Sequence, residues 1–476
     1  MLRIPTIFKC DREGLVLYQQ VAEQLAEHIR TGVFAEGERI PSIRKLHQQW
    51  GVSQSTALAA LSALEAQGLI EARPRSGFYV KALPERLQVE EHVPAPVAVS
   101  RHQLINHVLN QSRQPGLMHL GAAVPETVFL PQEILRRISN RCLREQPGLI
   151  TDYAFPPGNK TLRQQIAVRM QAAGCSVSAS ELLITQGCQE ALSLCLRVLA
   201  QPGDLIAIES PAYHGLLQAL EALGLQALEI PCDPARGMDL EALAAAIQEW
   251  PVKACVVSAN FSNPTGSLMP DEHKQRLVSM LSEAQIPLVE DDTYADLHYG
   301  RRQPHPLKAW DREGNVLYCS AFSKTIAPGF RVGWVAGGRY HQQLQQLLTV
   351  TTMASHALSQ QVMAEYLHSG DYDRHLRKVR RQYRQQLHNL VDALYASGLP
   401  VAWSLPQGGF LLWLILPAEV DALAVYEQML QKGISVMPGS LFSASERFRH
   451  CMRISIAVSQ PDWSLLVAAL RGSLTD

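Results

Sequence analysis

The stretch "SAFSKTIAPGFRVGW", Ser320 to Trp334, places one lysine, Lys324, among small and hydroxylated residues, and Arg331 follows seven positions later. Gly329 and Gly333 stand on either side of that arginine. The stretch begins where a short apolar run, "VLYCS", ends, and such a run is typical of a buried strand. In sheets of parallel strands ligands bind at the carboxyl ends, so Lys324 stands where a ligand is expected.

The chain around this stretch alternates between two kinds of segment from about residue 150 onward. Helical stretches are separated by short apolar runs: "ELLIT", "DLIAIE", "ACVVSA", "PLVED", "VLYCS" and "RVGWVAG". This alternation predicts an α/β domain with a mostly parallel sheet. Polar residues that directly follow these runs are expected to meet at one edge of the sheet.

The first of these strand ends predicts an anion cradle. Gly187, Cys188 and Gln189 follow "ELLIT" and open the helix "EALSLCLRVLA". The first N–H groups of a helix have no partner within the helix and attract negative charge. A phosphate group is therefore expected there.

The next strand ends supply an aromatic ring and hydrogen-bonding groups. Tyr213 follows "DLIAIE", Asn263 follows "ACVVSA" within "NPTG", and Asp291 and Tyr294 follow "PLVE". Together with Lys324 and the anion cradle, these groups form the set that pyridoxal 5'-phosphate requires.

Each of these residues has an expected role in binding that cofactor. Lys324 would form the Schiff base, and Asp291 would pair with the pyridine nitrogen and keep it protonated, because only a cationic ring draws electrons strongly from a carbanion. Asn263 and Tyr294 would hydrogen-bond the phenolate oxygen, and Tyr213 would stack on the ring.

Ser323 and Arg331 would join the helix N-terminus on the phosphate, where the arginine contributes charge-assisted hydrogen bonds. Taken singly, Lys324 is more often a surface lysine, and Asp291 beside Asp292 is more often a solvated acidic turn. The order and spacing of all the motifs, each at a predicted strand end, favour the cofactor site.

The same motifs resemble fold-type I pyridoxal-phosphate enzymes, the aspartate aminotransferase superfamily, from about residue 115 to the end. "YAFPPGNKTLRQQIA", "NPTG", "EDDTY", "SKTIAPGFRVGW", "PQGGFLLW" and "MRISIA" occur in the family's order. The resemblance implies that Tyr153 reaches the phosphate of a neighbouring subunit and that Arg453 binds a substrate carboxylate. It therefore implies a homodimer with shared sites and an amino-acid-like ligand. One position departs from the pattern: Ala321 stands where many relatives have Ser, and Ser320 is displaced by one.

The first eighty residues have a different pattern. Leu17, Val21, Leu25 and Ile29 form an apolar stripe at four-residue steps, which predicts a helix that stops at Gly32. Two further helices are predicted to start after the capping residues Ser42 and Ser53, and Gly68 ends the last one. "LIEARPRSGFYV" predicts a hairpin with a cationic tip. The result is a winged helix-turn-helix.

In a winged helix-turn-helix the side chains just inside the recognition helix face base edges or phosphates in the major groove. Here these are Gln54, Ser55 and Thr56, and Arg44 and Arg75 would hold phosphates. "LYQQVAEQLAEHIRTGVFAEGERIPSIRKLHQQWGVSQST" and "GLIEARPRSGFYV" resemble the GntR family of bacterial regulators, which implies a double-stranded DNA operator. A winged helix used only for protein contacts is the alternative. Residues 1–81 carry ten Lys and Arg against eight Asp and Glu, a net +2, so tight DNA binding would need two copies in a dimer.

These patterns predict three parts of the chain. Residues 1–81 form the winged helix, 82–114 a linker and 115–476 the aminotransferase-like domain. Within the last, the large domain spans about 150–355, and the small domain is built from 115–149 and 356–476.

The bulk composition bounds the cellular setting. The 476 residues carry a net charge of -1, so no basic excess marks the whole chain as a binder of nucleic acid or membrane. Nine cysteines without a CxxC pair favour reduced thiols and the cytoplasm. No apolar run is long enough to span a membrane, and His298, His305 and His450 lack the spacing of metal ligands.

A winged helix ahead of an aminotransferase-like domain resembles the MocR subgroup of GntR regulators. The resemblance implies a transcription factor whose effector is pyridoxal phosphate, with or without an amino acid or amine that forms an external aldimine at Lys324. The alternatives are a working aminotransferase that carries a DNA-binding domain, and a sensor of vitamin B6 alone. Ligand choice would depend on the pocket around Tyr213 and on the segment "LGAAVPET".

Overall fold

The computed structural model describes residues 17–30, 33–35, 37–66, 68–73, 76–81, 95–99, 102–112, 114–233, 236–445 and 447–475. The chain divides into two units, Met1–Leu87 and Gln88–Asp476.

The first unit is a three-helix cluster followed by a hairpin. Its elements are α1 (Leu17–Arg30), α2 (Ile43–Trp50), α3 (Gln54–Ala66), β1 (Ile70–Arg73) and β2 (Gly77–Val80). Val21, Leu25 and Ile29 are buried as the apolar stripe predicts, whereas Leu17 at the start of α1 is 38% exposed. The predicted helix stop at Gly32 and the hairpin tip with Arg75 lie outside the described residues.

Local capping fixes the ends of the second and third helices. The Ser42 hydroxyl accepts a hydrogen bond from the Lys45 N–H at 3.4 Å, and the Ser53 hydroxyl accepts one from the Thr56 N–H at 3.0 Å. Gly68 adopts a φ of 74°, and its N–H donates to the Glu65 carbonyl at 2.9 Å, which ends α3. The strands β1 and β2 then pair in antiparallel register. This is the predicted helix-turn-helix with a β-hairpin wing.

The second unit contains the remaining elements. Its helices are α4 (His102–Gln111), α5 (Gln132–Glu145), α6 (Lys160–Ala172), α7 (Cys188–Leu199), α8 (His214–Ala222), α9 (Leu240–Glu249), α10 (Asp271–Glu283), α11 (His341–Thr351), α12 (Ala357–His368), α13 (Asp371–Ser397), α14 (Ala422–Gln431) and α15 (Trp463–Thr475). Its strands are β3 (Val97–Ala98), β4 (Met118–His119), β5 (Leu182–Thr185), β6 (Leu205–Ser210), β7 (Gln226–Asp233), β8 (Gly237–Met238), β9 (Val252–Val257), β10 (Leu288–Asp291), β11 (Val316–Ala321), β12 (Gly333–Ala336), β13 (Ala402–Trp403), β14 (Leu411–Ile415), β15 (Ile434–Ser435), β16 (Met437–Pro438) and β17 (Cys451–Ser455).

The large sheet has the strand order β3-β7-β6-β9-β10-β11-β12-β5, with β8 paired to β7. Strands β7, β6, β9, β10 and β11 run parallel, and β12 is antiparallel to both of its neighbours. Every residue of β5, β6, β11 and β12 is buried, because apolar clusters that include residues of α7 and α8 on one side and of α9 and α10 on the other enclose the sheet. The predicted α/β fold with a mostly parallel sheet is confirmed.

One long strand of this sheet is missing from the sequence prediction. Strand β7 spans eight residues, but its sequence "QALEIPCD" continues the helix-like run of α8 and contains Pro231. Its outer partner is β3, with Val97 opposite Ala227. Because Ile105 and Val108 of α4 are also fully buried, this part of the predicted linker packs as part of the second unit.

A second, smaller sheet lies toward the end of the chain, with the antiparallel order β13-β14-β17-β16. The helix α13, 27 residues long, precedes it. Strand β4 pairs in parallel with β15, so residues 118–119 lie beside residues 434–435. A segment that precedes most of the large-sheet strands in the chain and a segment that follows all of them thus pair with each other.

None of the described helices is long and apolar enough to cross a membrane. In the same residues, no three or more His, Cys, Asp and Glu side chains are grouped so as to hold a metal ion.

Candidate functional site

Lys324 lies directly after β11, in a short turn of 3-10 helix at residues Phe322–Lys324. Its side chain is half-buried, and Nζ donates a hydrogen bond to the Ala123 carbonyl at 2.7 Å. Burial and the positive charge of Arg453 lower the pKa of Lys324 to about 8. Its amine therefore loses a proton far more readily than that of an exposed lysine, which suits a nucleophile.

Asp291 ends β10 and is held by three donors. Its Oδ1 accepts from the Thr293 hydroxyl at 2.6 Å, from the Thr293 N–H at 3.2 Å and from Cys188 Sγ at 3.3 Å. Burial and the nearby Asp291 raise the pKa of the Cys188 thiol well above its usual value, so it stays a donor. The carboxylate is thereby oriented toward the start of α7.

The arginine predicted to bind a substrate carboxylate is completely buried. Arg453 donates to Asn263 Oδ1 at 2.7 Å and to the Gly121 carbonyl at 2.6 Å, and its guanidinium carbon lies 5.0 Å from the centre of the Phe442 ring. Burial lowers the pKa of Arg453 to about 10, so it remains a cation at neutral pH. Within the described residues its hydrogen bonds go to neutral oxygens and Nε has no partner, so this buried charge is able to accept an anion.

The two predicted tyrosines differ in their environment. Tyr294 is 4% exposed, stacks edge-on against Phe410 and has a hydroxyl without a hydrogen-bond partner in the described part of the chain. Tyr213 is half-buried at the start of α8, and a Cβ at Gly215 would lie 2.4 Å from its ring carbon Cζ. Burial raises the pKa of both phenols, to about 12 for Tyr213. Both therefore stay protonated and able to donate.

The charges show that these groups share one site. Arg453 and Asp291 act electrostatically on Lys324, on Tyr213 and on Tyr294 alike. The structure thus brings together side chains that are up to 240 residues apart in sequence.

Gly187 and Arg331, two residues of the predicted anion cradle, lie next to each other. Gly187 has a φ of 91° and precedes α7, while Arg331 has a left-handed backbone and donates through Nη2 to the Gln186 carbonyl at 2.7 Å. A Cβ at Gly187 would lie 2.6 Å from that nitrogen, so only glycine leaves room for the arginine. Cys188 and Gln189 follow as the first residues of α7, where backbone N–H groups have no acceptor within the helix. The Gln189 side chain is turned away and donates to the Gly215 carbonyl at 2.8 Å.

Three further predicted positions have distinct placements. Ser323 is buried, and its hydroxyl has no partner among the described residues. The displaced Ser320 donates to the Asp292 carbonyl at 3.1 Å, so its hydroxyl is used within the fold and does not replace the serine missing at Ala321. Tyr153 is 65% exposed, and its ring contact is with Phe155 at 5.4 Å.

Sequence reasoning missed several groups that the fold places here. The carbonyls of Gly121 and Ala123 bind Arg453 and Lys324, and both lie in the segment "LGAAVPET", which the sequence indicated only as a source of ligand choice. His214 is buried between Tyr213 and Phe442, and burial together with Arg453 lowers its pKa to about 3. Its position directly after Tyr213, a predicted site residue, was the sequence signal that could have placed His214 at the site.

Glu209 is another missed residue, at the end of β6. It accepts from the Ser258 N–H at 2.8 Å, and burial, reinforced by the charge of Asp291, raises its pKa to about 8. It is therefore mostly a neutral acid at neutral pH, which limits the negative charge beside Asp291.

In the first unit the predicted DNA-contacting residues begin α3. Gln54 and Ser55 are exposed, and the Ser53 hydroxyl lies 2.8 Å from the Ser55 hydroxyl and 2.7 Å from the Thr56 hydroxyl. Arg44 is exposed on α2, and Arg75 lies outside the described residues. The Ser53 hydroxyl therefore both caps α3 and contacts the hydroxyls of two predicted DNA-contacting residues, Ser55 and Thr56.

A DNA-binding module joined to a sheet of the aminotransferase type defines the class of this protein. Residues 120–470 match the family "Aminotransferase class I and II", and residues 17–80 match "Bacterial regulatory proteins, gntR family". The chain belongs to the aminotransferase class I and II family and carries the gntR-type domain in front of it, which is the architecture of the MocR subfamily. The predicted resemblance is confirmed.

Full-length relatives share both parts. The chain is 37% identical over 450 residues to the uncharacterized HTH-type transcriptional regulator YjiR of Escherichia coli, with 93% of this chain and 95% of that protein covered. It is 26% identical to the HTH-type transcriptional regulator NorG of Staphylococcus aureus, over 88% and 95% of the two chains.

Solved structures match the second part. LysN, an alpha-aminoadipate aminotransferase from Thermus thermophilus complexed with N-(5'-phosphopyridoxyl)-L-leucine, superposes with a TM-score of 0.71 at 27% identity, covering 79% of this chain and all of that one. The kynurenine aminotransferase of Pyrococcus horikoshii in complex with PMP gives a TM-score of 0.72 at 28% identity, covering 79% and 96%.

Proposed function

We propose that this protein is a DNA-binding transcriptional regulator whose second unit senses pyridoxal 5'-phosphate, alone or with an amino acid or amine, through Lys324. The gntR-type domain and the regulator names of YjiR and NorG support the regulatory part. The cofactor part is supported by the membership of residues 120–470 in the aminotransferase family and by the residues at the sheet edge.

The observation that carries the cofactor proposal is that the site of Lys324 also contains two buried hydroxyls without hydrogen-bond partners in the described chain. The Tyr294 and Ser323 hydroxyls are buried without partners in the described chain, and an unsatisfied buried hydroxyl costs about 1–3 kcal/mol. A ligand that hydrogen-bonds to both hydroxyls would remove that cost. Lys324, with its lowered pKa, is the amine that the ligand would meet.

The residues fit the cofactor group by group. When bound, pyridoxal phosphate supplies an aldehyde that condenses with primary amines and a ring that withdraws electrons. Asp291, oriented by Thr293 and Cys188, would hold the proton on the pyridine nitrogen. Tyr294 and Asn263 would donate to the ring oxygen.

The remaining contacts would be to the ring face and the phosphate. Tyr213 would cover one face of the ring. Arg331, Ser323 and the first N–H groups of α7, those of Cys188 and Gln189, would bind the phosphate next to Gly187. The exposed Tyr153 would contact the phosphate of a second copy in a homodimer.

Regulation would arise by linkage between the two ligands. An amino acid that binds at Arg453 would exchange with the amine of Lys324 and favour one arrangement of the dimer. A coupling free energy of about 1 to 3 kcal/mol changes DNA affinity roughly 5- to 150-fold, which is sufficient for a switch.

A second candidate function is catalysis, a working aminotransferase with a DNA-binding domain. The observation that favours it is the buried cationic Arg453, whose hydrogen bonds in the described chain go only to neutral oxygens, because a sensor of cofactor alone has no use for a buried carboxylate receptor.

One experiment separates these functions. Purified protein is loaded with pyridoxal phosphate and titrated with a panel of amino acids, while absorbance and 2-oxo acid release are followed over many cofactor equivalents. A spectral shift with at most one equivalent of product supports a sensor, and continuous release makes the protein an enzyme. DNA binding altered by pyridoxal phosphate alone, with no response to any amino acid, would identify a vitamin B6 sensor.

A further inference from the structure

A cleft of about 540 Å³ opens on the second unit between residues 298–301 and the N-terminal half of α13. The shared feature of its lining is positive charge, from Arg301, Arg377, Arg380, Arg381 and Arg384. The acidic residue of the lining is Asp373, and its carboxylate already lies 2.9 Å from Arg169. Its lining shares no residue with the candidate cofactor site.

Helix packing does not explain the exposed arginines of the cleft, Arg377 and Arg381. The buried face of α13 consists of apolar and aromatic residues such as Leu376, Val379, Tyr383 and Leu387. Four of the cleft arginines lie at spacings of three and four residues on another face, Arg377 to Arg384. Like charges at such spacings destabilise a helix by about 0.2–0.5 kcal/mol per pair, so the fold alone would disfavour this arrangement.

The cleft is built on fixed elements. Arg380 is half-buried, and its Nε donates to the Asp296 carbonyl at 2.7 Å. On the opposite wall, the Tyr299 hydroxyl donates to the Gly409 carbonyl at 2.7 Å, and the Tyr299 N–H donates to the Gln407 carbonyl at 2.8 Å. The guanidinium groups are therefore presented by a wall and a helix that do not need to reorganise on binding.

We propose that this cleft binds a small molecule with two or three linked phosphates. Guanidinium groups match phosphate oxygens with paired hydrogen bonds, and a row of them along one helix can contact several linked phosphates at once. The volume lies within the range of about 300–1,000 Å³ that is typical of small-molecule sites. Arg380 and Arg384 are recessed, which favours a ligand that enters the cleft over a DNA duplex that would rest on its rim.

Inorganic tripolyphosphate is the probe that tests this proposal. Isothermal titration calorimetry on the full-length protein should give saturable tripolyphosphate binding at least tenfold tighter than orthophosphate binding. The titration is made at about 150 mM salt, where the Debye length of about 8 Å screens long-range charge attraction. The double variant Arg377→Gln/Arg381→Gln should weaken tripolyphosphate binding at least about tenfold, since it removes two charge-assisted contacts.

Arg374→Gln is the matched control. It lies on the same helix and is exposed, but it pairs with Asp371 and does not line the cleft. Its affinity for tripolyphosphate should be that of the unchanged protein, and circular dichroism melting should show that all variants fold. Equal weakening by the control would mean nonspecific charge attraction and would overturn the proposal, as would the absence of saturable binding.

Two further titrations identify the ligand chemistry. ATP that binds as tripolyphosphate does, or more tightly, supports the proposal and shows in the second case that a nucleoside is also recognised. A duplex of unrelated sequence whose binding depends on Arg377 and Arg381, without any binding of tripolyphosphate, would assign the arginines to the DNA backbone and exclude a small-molecule site.

Discussion

The two units carry their candidate sites in different ways. In the second unit Asp291 ends β10, Lys324 follows β11 and Arg453 lies in β17, and each is held by hydrogen bonds to groups distant in sequence or in adjoining loops. In the first unit Gln54, Ser55 and Thr56 are neighbours on one helix, and their local structure depends on the Ser53 cap. A site built from distant strands depends on the whole fold, whereas a site on one helix turn can be altered residue by residue. Changes in the second unit should therefore have larger effects than changes in the first.

The largest effect is expected for Lys324→Ala. Because this amine is the proposed point of attachment, the variant should lose the visible absorbance that the protein acquires with pyridoxal phosphate. Lys253→Ala, at an exposed lysine, should keep it. A visible band that survives in Lys324→Ala with cofactor still bound would show that another group holds the aldehyde.

Tyr294→Phe should have opposite effects on stability and on binding. Removal of a buried hydroxyl without a partner should stabilise the cofactor-free protein by about 1 kcal/mol, measured by urea unfolding, and should weaken pyridoxal phosphate binding about tenfold. Tyr366→Phe is the matched control, because the Tyr366 hydroxyl is also buried without a partner among the described residues but belongs to the core beside Tyr372. It should gain stability and leave cofactor affinity unchanged; a loss of affinity in both variants would argue against a specific role of Tyr294.

The pH dependence of cofactor binding should report the pKa of Lys324. Below pH 8 the amine must lose a proton before it condenses, so the lysine's contribution to affinity should rise about tenfold per pH unit up to about 8 and then level off. Arg453→Gln removes a charge that lowers this pKa, so its plateau should begin at higher pH. Spectroscopic titrations at several pH values measure this dependence. A plateau that begins at the same pH in the unchanged protein and in Arg453→Gln would show that Arg453 does not lower the pKa of Lys324.

Much of this site was predictable because strand ends carry a strong sequence signal. The runs that became β5, β6, β9, β10, β11 and β12 are short, apolar and bounded by polar residues, so the positions of Lys324 and Asp291 at the sheet edge followed directly. The strand β7 did not follow, because Leu, Ala and Glu in "LQALEI" favour helix and only pairing with β6 makes it a strand.

The contacts of backbone carbonyls were not predictable. The carbonyls of Gly121 and Ala123 bind Arg453 and Lys324 at sequence separations of 332 and 201 residues, and every residue type has a carbonyl, so the sequence does not indicate such contacts. Likewise, the sequence indicates a serine at Ser320 but not that its hydroxyl is used by the Asp292 carbonyl. Such details depend on tertiary structure, which explains why the positions of side chains at the sheet edge were easier to predict than their hydrogen-bond partners.

The smallest effect is expected in the first unit, for Arg44→Ala. Arg44 is exposed on α2, and loss of one phosphate contact should lower the slope of log affinity against log salt concentration by about one unit, with a reduction that is similar for all DNA sequences. Arg44→Lys keeps the charge and should keep the slope. Fluorescence anisotropy with a labelled duplex over a range of salt concentrations measures both variants. An unchanged slope in Arg44→Ala would show that this residue does not contact phosphate. A loss of affinity confined to one DNA sequence would instead assign Arg44 to base recognition.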